Sequence, residues 1–455
     1  MGLLLILTAV FTFTAIKTND SGWAEILLIP AAAFTIARLI HAEAIPGDRQ
    51  FWITRPYRWQ SLLAAKLLFV LAFINLPIFL AQSIIVLADR FPLASMFPGL
   101  LWEQILLLAC LSFPIIAFAA VTSRIRAFIF AGLVLFTVLV GLPRLLFGAV
   151  NRWIALDNWP ISIEWVRDSI AVLAITAVAL GIFYVQYRFR ATMLSRTLAV
   201  GALAAVALVY VLMPWQLAWA VEARLSKQPA MGESLRVAPG AIAFHDQWRR
   251  VFLDVPIKVT DVAAGIELRP DALKIAFRDA TGQIWQPSLR VSEHSASTDS
   301  AGTAILHGST PLDRKLIDQW RDRPLKVHGS LYFTVFGNKR EKTIELAGPP
   351  ANVMDGLQCY AGFVHDIFCR SAFRWPDRMV DAKGATADTR AFTEFISYSP
   401  FPAEISINPI ATRWASAPAF GKRLDEITIV VAEPLAHVRR DFELAGVRLG
   451  VIVNR

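Results

Sequence analysis

With 455 residues, 55% of them hydrophobic and only 18% charged, and a mean hydropathy of +0.49, the chain is too apolar for an ordinary soluble protein. The net charge of +9 lies mostly in the apolar half, where residues 1–220 carry 15 Lys and Arg against 9 Asp and Glu. Loops facing an anionic leaflet produce such an excess, which argues for a lipid bilayer and against nucleic acid as the partner. Three cysteines are too few for a disulfide-dense scaffold.

A helix crossing the hydrocarbon core needs roughly 20 mostly apolar residues. Seven stretches approach or meet this, at about 2–17, 24–42, 61–88, 100–121, 127–147, 168–187 and 197–219. The first begins without the basic leader of a secretory signal and is read as a retained span. Basic residues fall unevenly in the connections. Those after spans two, four and six hold Arg38, Arg49, Arg55, Arg58, Lys66, Arg124, Arg126, Arg188, Arg190 and Arg196, whereas the alternate set holds only Lys17, Arg90, Arg144, Arg152 and Arg167. This bias predicts a cytoplasmic N-terminus in an inner or plasma membrane, with everything after about residue 220 periplasmic or extracellular.

Between spans two and three, Gly47-Asp-Arg-Gln-Phe-Trp-Ile-Thr-Arg-Pro-Tyr-Arg-Trp-Gln-Ser-Leu-Leu-Ala-Ala-Lys66 is basic and aromatic. It is either an interfacial anchor or a docking site on the cytoplasmic face. Within the spans, Asn75 and Gln82 in the third and Glu103 near the outer end of the fourth are intramembrane polar candidates, as pathway residues or as interhelical glue. The stretch 143–166, with Trp153, Trp159 and Trp165, reads as an interfacial or re-entrant helix on the outer side or as an aromatic-belt loop.

After residue 220 the pattern changes to short alternations punctuated by Gly, Pro, Asn and Asp. Candidate strands are 252–259, 266–268, 273–278, 284–291, 331–336, 342–346, 403–408 and 426–432, with Gly337-Asn338 as a hairpin turn and a helix over 311–321. The predicted fold class is therefore a polytopic α-helical membrane domain of about seven spans (1–220), followed by an extracytoplasmic all-β domain (221–455) of sandwich-like, generally immunoglobulin-like architecture. Cys359 and Cys369 are the only cysteines outside the spans, and an oxidising compartment would join them in a disulfide, with two free thiols as the alternative.

The seven histidines are scattered, and no metal-binding, nucleophile-elbow or phosphate-loop motif is present. No catalytic residue, metal or cofactor of the chain's own is expected, and ATP hydrolysis is not expected of it.

The segment Phe51-Trp-Ile-Thr-Arg-Pro-Tyr-Arg-Trp-Gln-Ser-Leu-Leu-Ala-Ala-Lys66 resembles the cytoplasmic loop between spans two and three of ABC-2-type transporter permeases. The resemblance covers residues 1 to about 190. It implies a short docking helix at Gln50–Ile53, a turn at Thr54–Arg58 and the start of span three at Ala65-Lys66. By the same resemblance, Asp48, Arg49, Gln50, Trp52, Thr54, Arg55, Pro56, Arg58, Trp59 and Lys66 would contact a separate ABC-type ATPase that carries ATP and Mg. The chain departs from the family in having Gly47-Asp48-Arg49-Gln50 ahead of the helix, a shortened Pro56-Tyr57-Arg58, a seventh span and the large outer domain. The implied function is a permease subunit, in a homodimer or heterodimer, that moves a hydrophobic or amphipathic substrate. The competing expectation is a membrane-anchored extracytoplasmic binding or assembly protein with no transport activity.

Overall fold

The computed structural model describes residues 2–18, 22–42, 58–137, 163–189, 191–240, 242–247, 250–286, 290–291, 302–312, 320, 324–345, 348–361, 367–373, 378–384, 390–396, 407–415, 426–447 and 452–454. The first half is helical: α1 (Gly2–Thr18), α2 (Gly22–Ala42), α3 (Trp59–Ala88), α4 (Leu93–Val121), α5 (Ile125–Phe136), α6 (Glu164–Tyr184, closed by the π turn Val185–Phe189) and α7 (Thr192–Leu212). Among the described residues, five helices are long and apolar enough to cross a membrane, and α1 and α5 are shorter apolar helices.

Both long central helices carry a π turn just before a proline, Leu71–Asn75 ahead of Pro77 and Leu108–Ser112 ahead of Pro114. A proline ring crowds the carbonyl four residues back and offers no N–H. The wider turn absorbs that clash without ending the helix. Helix α1 packs on α2 and α3, α2 on α4, α4 on α6, and α6 on α7. Their shared core contains Phe11, Leu28, Ile36, Ile74 and Ile78, all essentially buried. The opposite faces expose Leu80, Ile84, Phe130, Leu173 and Leu208, an apolar surface of the kind that lipid rather than water solvates.

The last apolar stretch ends earlier than its sequence suggests. Helix α7 stops at Leu212, Pro214 interrupts, and α8 (Trp215–Leu225) leaves as a separate helix whose Trp215, Ala218 and Trp219 pack with Tyr332 of the β region. The predicted boundary at residue 220 thus falls inside α8, which belongs to the junction.

The second half is mostly antiparallel sheet. Among the described residues one six-stranded sheet has the order β16(Ile452–Asn454)-β2(Ala243–Gln247)-β3(Arg250–Thr260)-β7(Ala304–Leu312)-β6(Arg290–Val291), with β1(Arg236–Pro239) also on β3. A second runs β13(Arg390–Ile396)-β12(Arg378–Gly384)-β15(Glu426–Val447)-β8(Leu325–Glu345)-β4(Glu267–Arg278)-β5(Ile284–Trp285). These two share one core, to which Val255, Ile257 and Leu306 come from the first and Leu268, Phe277 and Phe333 from the second. The third sheet, β14(Ile410–Ala415)-β11(Ile367–Ala372)-β10(Leu357–Ala361)-β9(Ala351–Met354), has four strands and lies elsewhere.

Three local expectations are corrected. The hairpin at Gly337-Asn338 does not form, because β8 continues through it and pairs with β15 along its length. Asn338, at φ 54°, sits instead in a bulge where the β15 register shifts between Val431 and Glu433. A residue that tolerates positive φ marks a turn and a bulge equally well. Stretches 266–268 and 273–278 are one strand, β4, bulged between Pro270 and Ala272. Pro311 and Leu312 end β7 and Trp320 is helical, while 313–319 and 321 of the expected helix lie outside the described residues. Residues 403–406 lie outside the described residues, and Ile407 and Asn408 are not in a strand.

Candidate functional site

Asn75 and Gln82 are seven residues apart in α3, two turns on one helical face. That face meets α4, and the amides form a chain. Asn75 Nδ2 donates to Gln104 Oε1 (3.2 Å), Gln104 Nε2 donates to Gln82 Oε1 (2.7 Å), and Gln82 Nε2 donates to the carbonyl of Ile407 (2.8 Å). The last acceptor belongs to the β region. Asn75 and Gln82 are both buried, and Asn75 Oδ1 is left without a hydrogen bond.

Around that chain the four-stranded sheet is seated in the end of the helical bundle. Ala372, Phe373, Ile407 and Ile410 share the helical core. Phe373 adopts φ 59°, a left-handed backbone that costs a bulky residue about 1–2 kcal/mol. This geometry lays its ring on Gly99 of α4 so closely that a Cβ there would lie 2.7 Å from Phe373 Cδ2. Two polar contacts flank the ring. The Asn408 N–H donates to Glu25 Oε1 of α2 (2.8 Å), and Arg370 Nη1 pairs with Asp89 Oδ1, just past α3 (3.0 Å). Burial holds the Asp89 carboxyl above the usual carboxylate range, with the Arg370 guanidinium pulling the other way. The Cys359–Cys369 disulfide joins directly paired residues of β10 and β11, one position from Arg370.

A second junction lies at α8. Trp165 Nε1 donates to Glu222 Oε2 (2.7 Å), His437 Nε2 meets Glu222 Oε1 (3.1 Å), and His437 Nδ1 meets Thr334 Oγ1 (3.0 Å). The Thr-His-Glu order has the spacing of a nucleophile and its base. Thr334 is fully buried, however, and its hydroxyl donates to Asp271 Oδ2 (2.7 Å), so the arrangement presents no accessible nucleophile.

At the opposite end of α3, Arg58 is the residue before the helix, and Trp59 packs edge-on to Tyr184 with ring centroids 6.1 Å apart. Lys66 is buried at 4% exposure, its Nζ 5.6 Å from the centre of the Tyr187 ring, so it faces the bundle. Asp48, Arg49, Gln50, Trp52, Thr54, Arg55 and Pro56 lie outside the described residues. Glu103 is half-buried beside Gln104. No group of three or more His, Cys, Asp or Glu suited to a metal occurs among the described residues.

Gln104, Glu25, Asp89, Arg370, Asn408, Glu222 and His437 were not legible as site residues. For Gln104 a signal existed, since an amide in an apolar helix next to a span bearing two amides on one face is their natural partner. For the others the partner is hundreds of residues away. No protein-family model matches the chain, and no curated protein matches its sequence.

Proposed function

We propose that the chain is the membrane subunit of an ABC-2-like exporter. In this reading α1 to α7 are seven spans, the N-terminus is cytoplasmic, and the two six-stranded sheets form an extracytoplasmic sandwich. The observation that carries the proposal is the continuity of α3. The first two turns of this helix, Trp59–Lys66, are the end of the 47–66 stretch, and its other end is tied through Gln82 to Ile407 and, just beyond its last turn, through Asp89 to Arg370.

A separate ATPase engaging Asp48–Arg58 would displace Trp59 and the start of α3. A helix transmits such a displacement along its axis. The π turns in α3, α4 and α6 supply places where it can be taken up. Coupling requires that the ATPase bind the two packings of the bundle differently, since equal binding shifts nothing. The four-stranded sheet acts as the outer plug, and a path for a hydrophobic or amphipathic substrate opens when it lifts off α2, α3 and α4. Two copies of the chain, or a pair of related chains, would line that path.

The experiment is purification of the tagged chain from its native membranes with and without Arg55→Glu/Arg58→Glu. The native chain should retain a phosphate-loop ATPase and the double variant should lose it while remaining membrane-inserted. Equal retention by both removes the coupling role. The seating of the β region on the bundle by several specific bonds also favours a second reading, a rigidly anchored extracytoplasmic binding or assembly protein. That reading predicts no bound ATPase and no nucleotide-dependent change in the reconstituted protein.

A further inference from the structure

We propose that His437 is a proton-operated clamp that fixes α8, and through it the end of α7, to the paired strands β8 and β15. The inference is independent of transport and rests on counting protons in a buried hydrogen-bond network. Thr334 Oγ1 carries one proton, and its 2.7 Å contact with Asp271 Oδ2 uses it, because an ionised carboxylate only accepts. The same oxygen receives Arg269 Nη2–H at 3.5 Å. Its 3.0 Å contact with His437 Nδ1 therefore needs a proton on Nδ1. On the other side of the ring, Glu222 Oε1 is an acceptor 3.1 Å from Nε2, so that contact needs a proton on Nε2. Only the imidazolium makes both. A neutral ring has one N–H, so either a lone pair faces Glu222 or Thr334 must turn its proton away from Asp271.

The surroundings make that difference count. The side chains of His437, Arg269 and Asp271 are 6%, 7% and 4% exposed, and that of Glu222 is 17%. Water is poorly placed to replace a lost bond. Among the described residues the charged groups at this junction include Glu222 from α8, Asp271 and Arg269 from β4, Lys274 of β4 with its Nζ 4.6 Å over the Trp215 ring, the Lys227–Glu433 pair at 2.9 Å, and Arg439 and Asp441 on β15 bonded to each other at 3.0 Å. Tyr332 of β8 has its hydroxyl held above the usual range by burial, so it stays neutral. The imidazolium sets a positive charge against Glu222, as Arg269 does against Asp271. Without it Glu222 Oε1 loses the positive charge 3.1 Å away. The backbone N–H of His437 also donates to Ser226 Oγ (3.0 Å) just past α8, and Trp219 lies edge-on to the ring with centroids 5.5 Å apart, so the helix loses its registration at one place when the ring changes state.

The clamp is therefore complete while both ring nitrogens of His437 carry a proton and loosens when one is given up. The test is hydrogen exchange of residues 215–225 in the full chain, held in phosphatidylcholine nanodiscs at pH 5.5 and 7.5 and corrected for intrinsic exchange chemistry. Protection in the native chain should fall by about tenfold at the higher pH, the scale of one charge-assisted hydrogen bond. His437→Gln should abolish the pH dependence, and Glu222→Gln, which keeps the side-chain shape, should flatten it. Equal protection at both pH values in the native chain overturns the proposal, even if the variants fail to fold. So does a pH profile that persists in Glu222→Gln.

Discussion

Gln104→Leu is the most discriminating perturbation of the bundle, because Gln104 is the middle of the amide chain. The variant removes the acceptor for Asn75 Nδ2 and the donor for Gln82 Oε1. Interhelical hydrogen bonds in membranes are worth about 0.6–1 kcal/mol each. Stranding a buried polar atom costs about 1–3 kcal/mol more. The single variant should therefore lose about 2–5 kcal/mol. The triple variant Asn75→Leu/Gln82→Leu/Gln104→Leu removes every side-chain partner together and deprives only the Ile407 carbonyl of its donor, which predicts a smaller loss of about 1 kcal/mol. Equilibrium unfolding in mixed SDS micelles, followed by tryptophan fluorescence, measures both. A single variant costing under about 0.5 kcal/mol, or a triple costing more than the single, would refute the network.

Gly99→Ala places a methyl group against the Phe373 ring and should destabilise the chain by about 1–3 kcal/mol, with Phe373→Leu relieving part of the loss in the double variant; additive effects in unfolding measurements would contradict the contact. At the Asp89–Arg370 pair, an acid with a raised pKa binds its proton in the folded chain before the unfolded chain does, so its ionised form costs stability that is regained as pH falls through the raised value. Arg370→Ala removes the opposing charge and should make the gain between pH 7 and 5 larger than in the native chain; an unchanged pH slope in thermal unfolding would count against the pairing. Cys359→Ser/Cys369→Ser releases a short cross-strand link and should cost about 2–3 kcal/mol in the chain-entropy model, visible as faster proteolysis of residues 351–373. Digestion at the native rate would mean that the sheet is held by its contacts with the helices alone.

Much of the helical half could be read directly. Continuous apolar runs long enough to cross a bilayer force the backbone to satisfy its own hydrogen bonds, and helix is the solution local sequence can specify. Asn75 and Gln82 stood out for the same reason, as amides in apolar surroundings. The disulfide was legible because Cys359 and Cys369 are the only cysteines outside the apolar stretches. Less visible was the use of local signals. Gly337-Asn338 has the chemistry of a turn, yet the chain spends it on a bulge because Glu426–Val447 arrives to pair with the whole of β8. Pro214 was swallowed by an apolar window, although it is where α7 ends and α8 turns toward the sheet.

By itself, then, the sequence determined which half forms long apolar helices and which half alternates into sheet, because hydropathy and periodicity are properties of neighbouring residues. It also marked the 47–66 stretch by its charge and aromatic content. Only the tertiary structure decided that the β region has two seats on the helices, one through Ile407, Asn408, Phe373 and Arg370, the other through His437 and Glu222. Those partners are separated by up to several hundred residues, and no local pattern couples a histidine in a strand to a glutamate at the end of a helix. Their pairing exists once long-range packing has excluded water, since only then does each buried donor have to find its acceptor.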